Sequence, residues 1–469
     1  PTIYTAPVVV TIAVLLALAG VSYYYTIKAV RAHNNKWLYY LAPAIIAGVA
    51  ILLLPMFKGY YLPGRNDMAE HTGHVIDIIR LGYATSHNHY PLQHIIPALF
   101  AGVSHVPANV AAMMVMPMSY MVYLLGMGLL LTQIFKNKLA IAIGLILSSL
   151  LIEPMSGTWQ ATNVAAMVMP LALGAALRAI RIGSIVWWSF AVIMAVAVAL
   201  LHYTAIIIYV GAILAASIIY RNKVVASLTA VTLAVGLLFI MDRPILSELM
   251  SYLPGLHVPV YTGATDAITT FTRNLIGEAG LTWAMDTGAT SSALFILLLK
   301  KMAVEGIIIT CGMAFALKFL LHRHVSKAYR WAAVVYMGLV ATYTMSFWGI
   351  GINEVMANGR FLPYLATFSV LLVVPGLCYS VFHKLIDRRV IVVILVLLAF
   401  MAAMKVYPSP YTGNPNEQVT YTEIQNMRDS MADDNAVILN ANTESVRRIM
   451  VAANGVQGWY DYYVKKLQN

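Results

Sequence analysis

Long apolar runs recur along most of the 469-residue chain, and they constrain its fold more than any other feature. A helical run of roughly 17–25 apolar residues matches the thickness of a bilayer. Only 10% of the residues are charged, against about 25% in soluble domains, so lipid must cover the surplus apolar surface. The sequence therefore predicts an all-α polytopic membrane protein with about twelve transmembrane helices. We place these at residues 4–26, 37–56, 108–135, 139–153, 161–177, 185–201, 203–220, 224–241, 302–321, 331–350, 361–381 and 390–405.

Basic residues are concentrated in every second loop between these spans. If the N-terminus lies outside, the cytoplasmic loops hold 16 of the 30 basic residues and one of the 19 acidic residues. Short cytoplasmic loops are rich in Lys and Arg, so this orientation is the predicted one. The net charge of +11 then arises from basic cytoplasmic loops, as expected of a multi-pass protein of the cell membrane. The expected partner is the lipid bilayer, and no nucleic acid is expected to bind. The predicted cytoplasmic loops include Lys136, Arg181, Arg221, Arg323 and Arg388.

Three external segments are longer than a turn requires, and long loops are usually functional. We predict a transmembrane domain over 1–405, with external loops at 57–107 and 242–301, and a small external C-terminal segment over 406–469. The apolar positions of 57–107 have helical spacing, which predicts one or two interfacial helices along the membrane surface.

The C-terminal segment has the pattern of a small α/β unit. Turn residues are followed by a predicted helix near 419–432 and a predicted strand over 436–440. A unit of about 60 residues has little core of its own, so we expect it to dock on the membrane part.

The first external loop carries polar residues at helical spacing. Asp67, Glu70, His71 and His74 recur at i, i+3, i+4 and i+7, so they share one helix face. Carboxylates and imidazoles on one face can act as a general base or bind a divalent cation. The alternative is the solvated face of an amphipathic interfacial helix whose apolar residues face lipid.

Further histidines follow in the same loop. His89 and His94 lie beside Tyr90-Pro91, just before an apolar run. Their spacing is not typical of a zinc site, and interfacial histidines are common for packing reasons alone. Metal binding by these histidines is therefore the weaker of two interpretations. The other interpretation is that the histidines line a substrate cleft.

Two later external segments hold candidate anion-binding residues. Arg360 opens an apolar span shortly after Glu354, and the fork of an Arg side chain suits a phosphate. The alternative for Arg360 is that it reaches to lipid headgroups. Arg273 and Asp286 lie in the segment 242–301, whose Gly, Thr, Ser and aromatic composition suits a sugar-lined cleft and equally suits a plain loop.

Four features together carry a family resemblance. They are the acidic motif of the first external loop, Tyr90-Pro91 with His94 before an apolar run, Arg360 within Asn358-Gly359-Arg360-Phe361, and the tail from Pro408 onwards. With these features the chain resembles the GT-C superfamily of polytopic glycosyltransferases. That superfamily includes oligosaccharyltransferase catalytic subunits, protein mannosyltransferases and aminoarabinose transferases. The chain is most similar to uncharacterised archaeal and bacterial members.

The resemblance implies a GT-C-like fold and an activity. Such an enzyme takes a sugar from a polyprenyl-phosphate carrier, such as dolichyl phosphate, and moves it to a protein, glycan or lipid acceptor on the external side. The first-loop carboxylate acts on the acceptor or binds a metal. Binding of a divalent cation (Mg²⁺ or Mn²⁺) by Asp67 and His74 is therefore one of the open alternatives. The implied catalytic residues are Asp67, Glu70 and His71. The residues expected to bind the donor phosphate are Arg360 and Arg273. The residues expected to line the substrate cleft are His74, His89, His94, Glu354 and Asp286.

Other functions remain open at this point. A transporter or flippase would carry broken helices and ionisable groups near the bilayer midplane. Glu153, Asp242 and Glu305 instead lie near the ends of predicted spans. An outer-leaflet glycan ligase, polymerase or acyltransferase outside the GT-C superfamily is a third possibility, and a non-catalytic subunit of a membrane assembly is a fourth.

Overall fold

The computed structural model describes most of the N-terminal half of the chain and several later segments. Every regular element in these residues is a helix, as the apolar runs predict. The described residues are 5–62, 67–85, 88, 90–150, 161–220, 264–278, 291–322, 325–347, 361–382 and 421–432, with single positions between 389 and 400. The helices are α1 (Ala6–Arg31), α2 (Trp37–Leu52), α3 (Leu54–Phe57), α4 (Asp67–Leu81), α5 (Pro91–Ser104), α6 (Ala108–Ile134), α7 (Lys138–Leu150), α8 (Ala161–Ile182), α9 (Ile185–Leu201), α10 (Tyr203–Tyr220), α11 (Ala264–Glu278), α12 (Ser291–Leu321), α13 (Lys327–Phe347), α14 (Leu362–Phe382) and α15 (Tyr421–Ala432).

The long apolar helices make this a membrane-embedded protein. Among the described helices, four are long and apolar enough to cross a bilayer by length and composition alone: Ala6–Arg31, Ala108–Ile134, Ala161–Ile182 and Leu362–Tyr379. Most predicted spans coincide with a helix. The predicted span 224–241 lies outside the described residues, and 390–405 is described only at scattered positions. The number of membrane crossings therefore stays a prediction.

One predicted span lies within a longer helix. The span expected to begin at 302 belongs to α12, which begins at Ser291 and is 31 residues long. The predicted external loop 242–301 therefore ends in helix. The cause is local, because Lys300 and Lys301 interrupt the apolar pattern but have a high helix propensity.

The apolar side chains of α1 are buried on one face of the helix and exposed on another. Val10, Val14 and Leu18 follow one another at four-residue spacing and are exposed, whereas Ile12 and Leu16 on another face are buried. A helix that is apolar on every side fits a bundle whose inner face packs against protein and whose outer face meets lipid.

Contacts between loops follow the predicted alternation of sides. Lys138 donates a hydrogen bond from Nζ to Asn35 Oδ1 at 2.8 Å, and both residues lie in loops predicted to be cytoplasmic. The rings of Tyr90 and His202 stack with centroids 4.9 Å apart, and both residues lie in segments predicted to be external. These contacts fit the predicted topology, while the assignment of each side still rests on loop charge.

Close packing of α6 against α8 depends on small residues. A Cβ added at Gly126 would lie 2.5 Å from the backbone nitrogen of Leu171, and one added at Gly174 would lie 3.0 Å from that of Leu130. Small residues at such positions let two backbones approach, which is the usual basis of helix association in a bilayer.

We expect Gly126→Ala to destabilise the protein by about 1–3 kcal/mol, because the neighbouring atom is backbone and cannot move aside alone. The measurement is the melting temperature in detergent. Gly128→Ala is the matched control on the same helix, since its added Cβ would meet only a Leu145 methyl group at 3.8 Å. Equal melting temperatures for the two variants would show that α6 and α8 do not approach this closely.

Candidate functional site

The helix predicted in the first loop forms as α4, and its polar face is buried. His71, His74 and Asp77 are 9%, 5% and 1% exposed. Helices α5 and α6 pack against α4, and His94 of α5 lies against His71 and His74 on this face, while Ile79 on another side of α4 is exposed. The solvated-face alternative is therefore wrong, because a polar face buried against protein is not the water-facing side of an interfacial helix.

A chain of hydrogen bonds links α5 to α4. His94 Nδ1 lies 2.7 Å from Asn88 Oδ1, and His94 Nε2 lies 2.9 Å from His71 Nδ1. The backbone N–H of Tyr90 donates to the same Asn88 Oδ1 at 3.2 Å. All three side chains of this Asn88–His94–His71 chain are buried.

The donor and the acceptor of each hydrogen bond in this chain follow from the backbone N–H of Tyr90. A backbone N–H can only donate, so the Asn88 atom beside it is the carbonyl oxygen. His94 Nδ1 must then carry a hydrogen and donate it to Asn88. In neutral His94 the other nitrogen, Nε2, accepts, so His71 Nδ1 is the donor to it. Neutral His71 therefore has its lone pair on Nε2, and this nitrogen is the proton acceptor at the end of the chain.

The environment of His94 keeps it neutral. Burial lowers the pKa of His94 well below its ordinary value of 6.5, and the neighbouring imidazoles of His71 and His74 lower it further. The His74 and His94 ring centroids are 4.9 Å apart. A neutral imidazole is what the tautomer argument requires, because a charged ring would donate from both nitrogens.

Metal binding finds no support in the described side chains. Among them, no group of three or more His, Cys, Asp or Glu residues is placed to hold a metal ion. The Asp67 side chain is outside the described residues, so the predicted Asp67 and His74 pair stays a prediction. The buried carboxylate on α4, Asp77, has Arg80 Nη2 at 3.7 Å instead.

A second polar group lies where α5 and α10 begin. The Tyr90 ring stacks on the His202 ring. His202 Nδ1 accepts a hydrogen bond from the backbone N–H of Thr204 at 3.1 Å. In neutral His202 the hydrogen is therefore on Nε2, which donates to Thr162 Oγ1 at 3.2 Å.

The predicted C-terminal helix is present as α15, and it docks on α4. Ile424 is buried in a small apolar cluster with Tyr61, Leu62 and Ala69. The Tyr421 hydroxyl accepts a hydrogen bond from Asn109 Nδ2 at 2.9 Å. The expected docking of the tail is thus seen for α15, on the side of α4 that carries Ala69. The predicted strand over 436–440 lies outside the described residues.

Some of the predicted site residues are brought together and others are not. His71, His74 and His94 form one buried cluster, and Glu70 lies half-buried on the same helix. Arg273 is exposed on α11, which packs against α13. Asp67 begins α4, but its side chain is not described. Four further candidates lie outside the described residues: His89, Asp286, Glu354 and Arg360.

Sequence reasoning missed two residues that organise the site. Asn88 fixes the hydrogen-bond direction of the histidine chain, and an Asn two residues before Tyr90-Pro91 is a turn signal that could have indicated it. His202 separates two apolar spans, and a single polar residue at such a junction is a recognisable pattern. Its partners Tyr90 and Thr162 are distant in sequence, so nothing local predicts them.

The chain was compared with protein-family models, curated proteins and solved structures, and the solved structures include similar ones. No protein-family model matches the chain. No curated protein matches it. Among solved structures, ArnT from Cupriavidus metallidurans in the apo state is similar, with a TM-score of 0.31 and 13% sequence identity over 70% of this chain and 76% of that one. This TM-score is too low to establish a shared fold, so the GT-C resemblance stays a prediction.

Proposed function

We propose that this protein is a glycosyltransferase that moves a sugar from a polyprenyl-phosphate-linked donor to an acceptor on the external side of the membrane. The observation that carries the proposal is the Asn88–His94–His71 chain. In neutral His71 it leaves Nε2 as the proton acceptor, on the helix that begins with Asp67, in the first of the long segments predicted to be external.

The first requirement of the reaction is removal of a proton from the acceptor hydroxyl. Asp67 is the proposed base, and a carboxylate in this position takes the proton as the acceptor oxygen attacks the anomeric carbon. His71 follows Asp67 by one helical turn on the same face of α4. Because neutral His71 accepts at Nε2, it can take a hydrogen bond from Asp67 once that carboxyl is protonated. Glu70 is the alternative base.

The second requirement is a place for the charge that develops on the leaving group. When the bond between the sugar and its phosphate breaks, the electron pair leaves with polyprenyl phosphate. Donors aimed at that oxygen stabilise the transition state. Arg360 is the proposed cation for this phosphate, with Arg273 as a second candidate. The remaining cleft residues, including His74, Glu354 and Asp286, are proposed to contact the sugar or the acceptor.

The test is transfer of a labelled sugar by the purified chain in proteoliposomes. The donors are a panel of polyprenyl-phosphate sugars and the matching nucleotide sugars, each with a peptide, glycan or lipid acceptor fraction. We expect label to move only from a polyprenyl-phosphate donor. Transfer from the nucleotide sugars alone would contradict the proposed donor class, and intact donor crossing the bilayer without cleavage would indicate a flippase.

A further inference from the structure

Three parts of the chain meet at the buried side chain of Asn109, in the first turn of α6. Asn109 Nδ2 donates to the backbone oxygen of Tyr61 at 3.3 Å and to the hydroxyl of Tyr421 at 2.9 Å. A backbone oxygen can only accept, so the amide atom beside it is the nitrogen, and its two hydrogens serve these two partners. One side chain therefore ties the first loop and the C-terminal helix α15 to the start of α6.

One face of α15 lies against the first loop. Tyr421, Ile424 and Arg428 follow one another at i, i+3 and i+7, so they share this face. The Tyr421 ring meets the Tyr61 ring edge to face, with centroids 5.0 Å apart. Arg428 is a hydrogen-bond donor to the Tyr61 hydroxyl, and Ile424 is buried in the apolar cluster that contains Tyr61. Polar and apolar contacts thus hold α15 in one place on the loop.

The apolar part of this contact lies on both sides of the point where α4 begins. Leu62 precedes the segment 63–66 that leads into α4, and Ala69 lies in the first turn of α4. Both are buried in one cluster with Ile424 of α15. Ile76, two turns after Ala69, packs against the same cluster. The C-terminal helix therefore fixes the residues before and after the start of α4.

The start of α4 is also where the proposed base lies. Asp67 is the first residue of α4. Helix ends fray unless other contacts hold them, and a base must lie within hydrogen-bond reach of the hydroxyl that it deprotonates. A misplacement of about 1 Å can lower a rate about 10²-fold. Contacts that hold this helix end therefore bear directly on the reaction.

We propose that α15 and Asn109 form a clamp that positions the start of α4, and with it Asp67, for the reaction. Asn109 and Tyr421 are positioning residues in this clamp, because they act through α4. The role of Asp67 rests on the proposed function, whereas the clamp itself is a property of the fold. Asn109 and Tyr421 are 312 residues apart in sequence, so no local constraint of the chain requires their contact.

The test compares the full-length wild type with Asn109→Leu and Ile424→Ala. Asn109→Leu keeps the side-chain volume and removes both hydrogen bonds. Ile424→Ala removes the apolar anchor of α15, which lies in a cluster separate from the main core of the bundle. In both variants we expect amide hydrogen exchange of residues 67–81, measured by mass spectrometry, to be about tenfold faster. Single-turnover transfer should fall about tenfold to a hundredfold, and the donor dissociation constant should stay unchanged.

Gln425→Ala is the matched control on α15. Gln425 is exposed, and its Nε2 donates to Asp429 Oδ1 of the same helix at 2.8 Å. Its exchange and transfer rates should equal those of the wild type.

Tyr421→Phe tests the hydrogen bond itself. Added to Asn109→Leu, it should cause no further change, because Asn109→Leu has already removed that bond. A further loss in the double variant would overturn the clamp as a unit built on Asn109.

The remaining outcomes separate the clamp from the proposed function. Exchange at the wild-type rate in both variants would overturn the clamp and leave the proposed function standing. Faster exchange with wild-type transfer, or a fall in donor affinity as large as the fall in rate, would overturn the positioning role. Faster exchange in a chain whose wild type transfers no sugar from any polyprenyl-phosphate donor would support the clamp and overturn the proposed function.

Discussion

The Asp67→Asn protein is expected to bind the lipid-linked donor normally and to transfer its sugar about 10²–10⁴-fold more slowly, which is the usual cost of losing a general base. The change removes basicity and almost no volume, so α4 should form as before. The measurement is the single-turnover rate at saturating donor, together with the donor dissociation constant.

Asp266→Asn is the control for a change of one carboxylate elsewhere. Asp266 is exposed in the first turn of α11 and has no proposed role in the reaction. Its transfer rate should equal that of the wild type. An Asp67→Asn protein with the wild-type rate would remove Asp67 from the mechanism, and Glu70 would be the next candidate base.

The second large effect is expected at Asn88. In Asn88→Leu the amide oxygen that accepts from His94 Nδ1 is gone, so His94 can hold its hydrogen on either nitrogen. When His94 carries its hydrogen on Nε2, that hydrogen points at the hydrogen on His71 Nδ1 and the hydrogen bond between them cannot form. The tautomer of His71 is then no longer fixed, and neither is the nitrogen that accepts a proton. We expect turnover to fall by about 10²-fold, since a mis-set tautomer disables proton transfer.

Asn88→Asp is the matched variant, because its carboxylate oxygen still accepts from His94 and from the Tyr90 backbone. It should keep most of the activity and shift the pH dependence of turnover, since a carboxylate raises the basicity of His94. Equal losses in the two variants, with equal falls in melting temperature, would show that Asn88 acts on the local fold alone.

The helices of this protein follow from local sequence, and the burial of their faces does not. The spacing of Glu70, His71 and His74 predicts a shared face on α4, but it does not say whether water or protein covers that face. The answer comes from α5, whose His94 packs against this face. Spacing within one helix therefore identifies candidate residues, whereas contacts between helices decide whether they are buried.

The partners of the site residues were unpredictable for the same reason. His94 reaches His71 across 23 residues of sequence, and His202 reaches Thr162 across 40. Such pairs depend on how helices are arranged in the bundle. The predicted phosphate residue Arg360 and the Asp67 side chain lie outside the described residues, so their roles stay proposals.

The most direct test of the account is the chemical fate of the donor. In one experiment, mass spectrometry counts free polyprenyl phosphate, and NMR gives the anomeric configuration of the product. Direct displacement with proton transfer to the first-loop helix predicts one polyprenyl phosphate released per sugar transferred and an inverted anomeric centre. A product that retains the donor's configuration, or donor lipid recovered intact in the opposite leaflet, would contradict it.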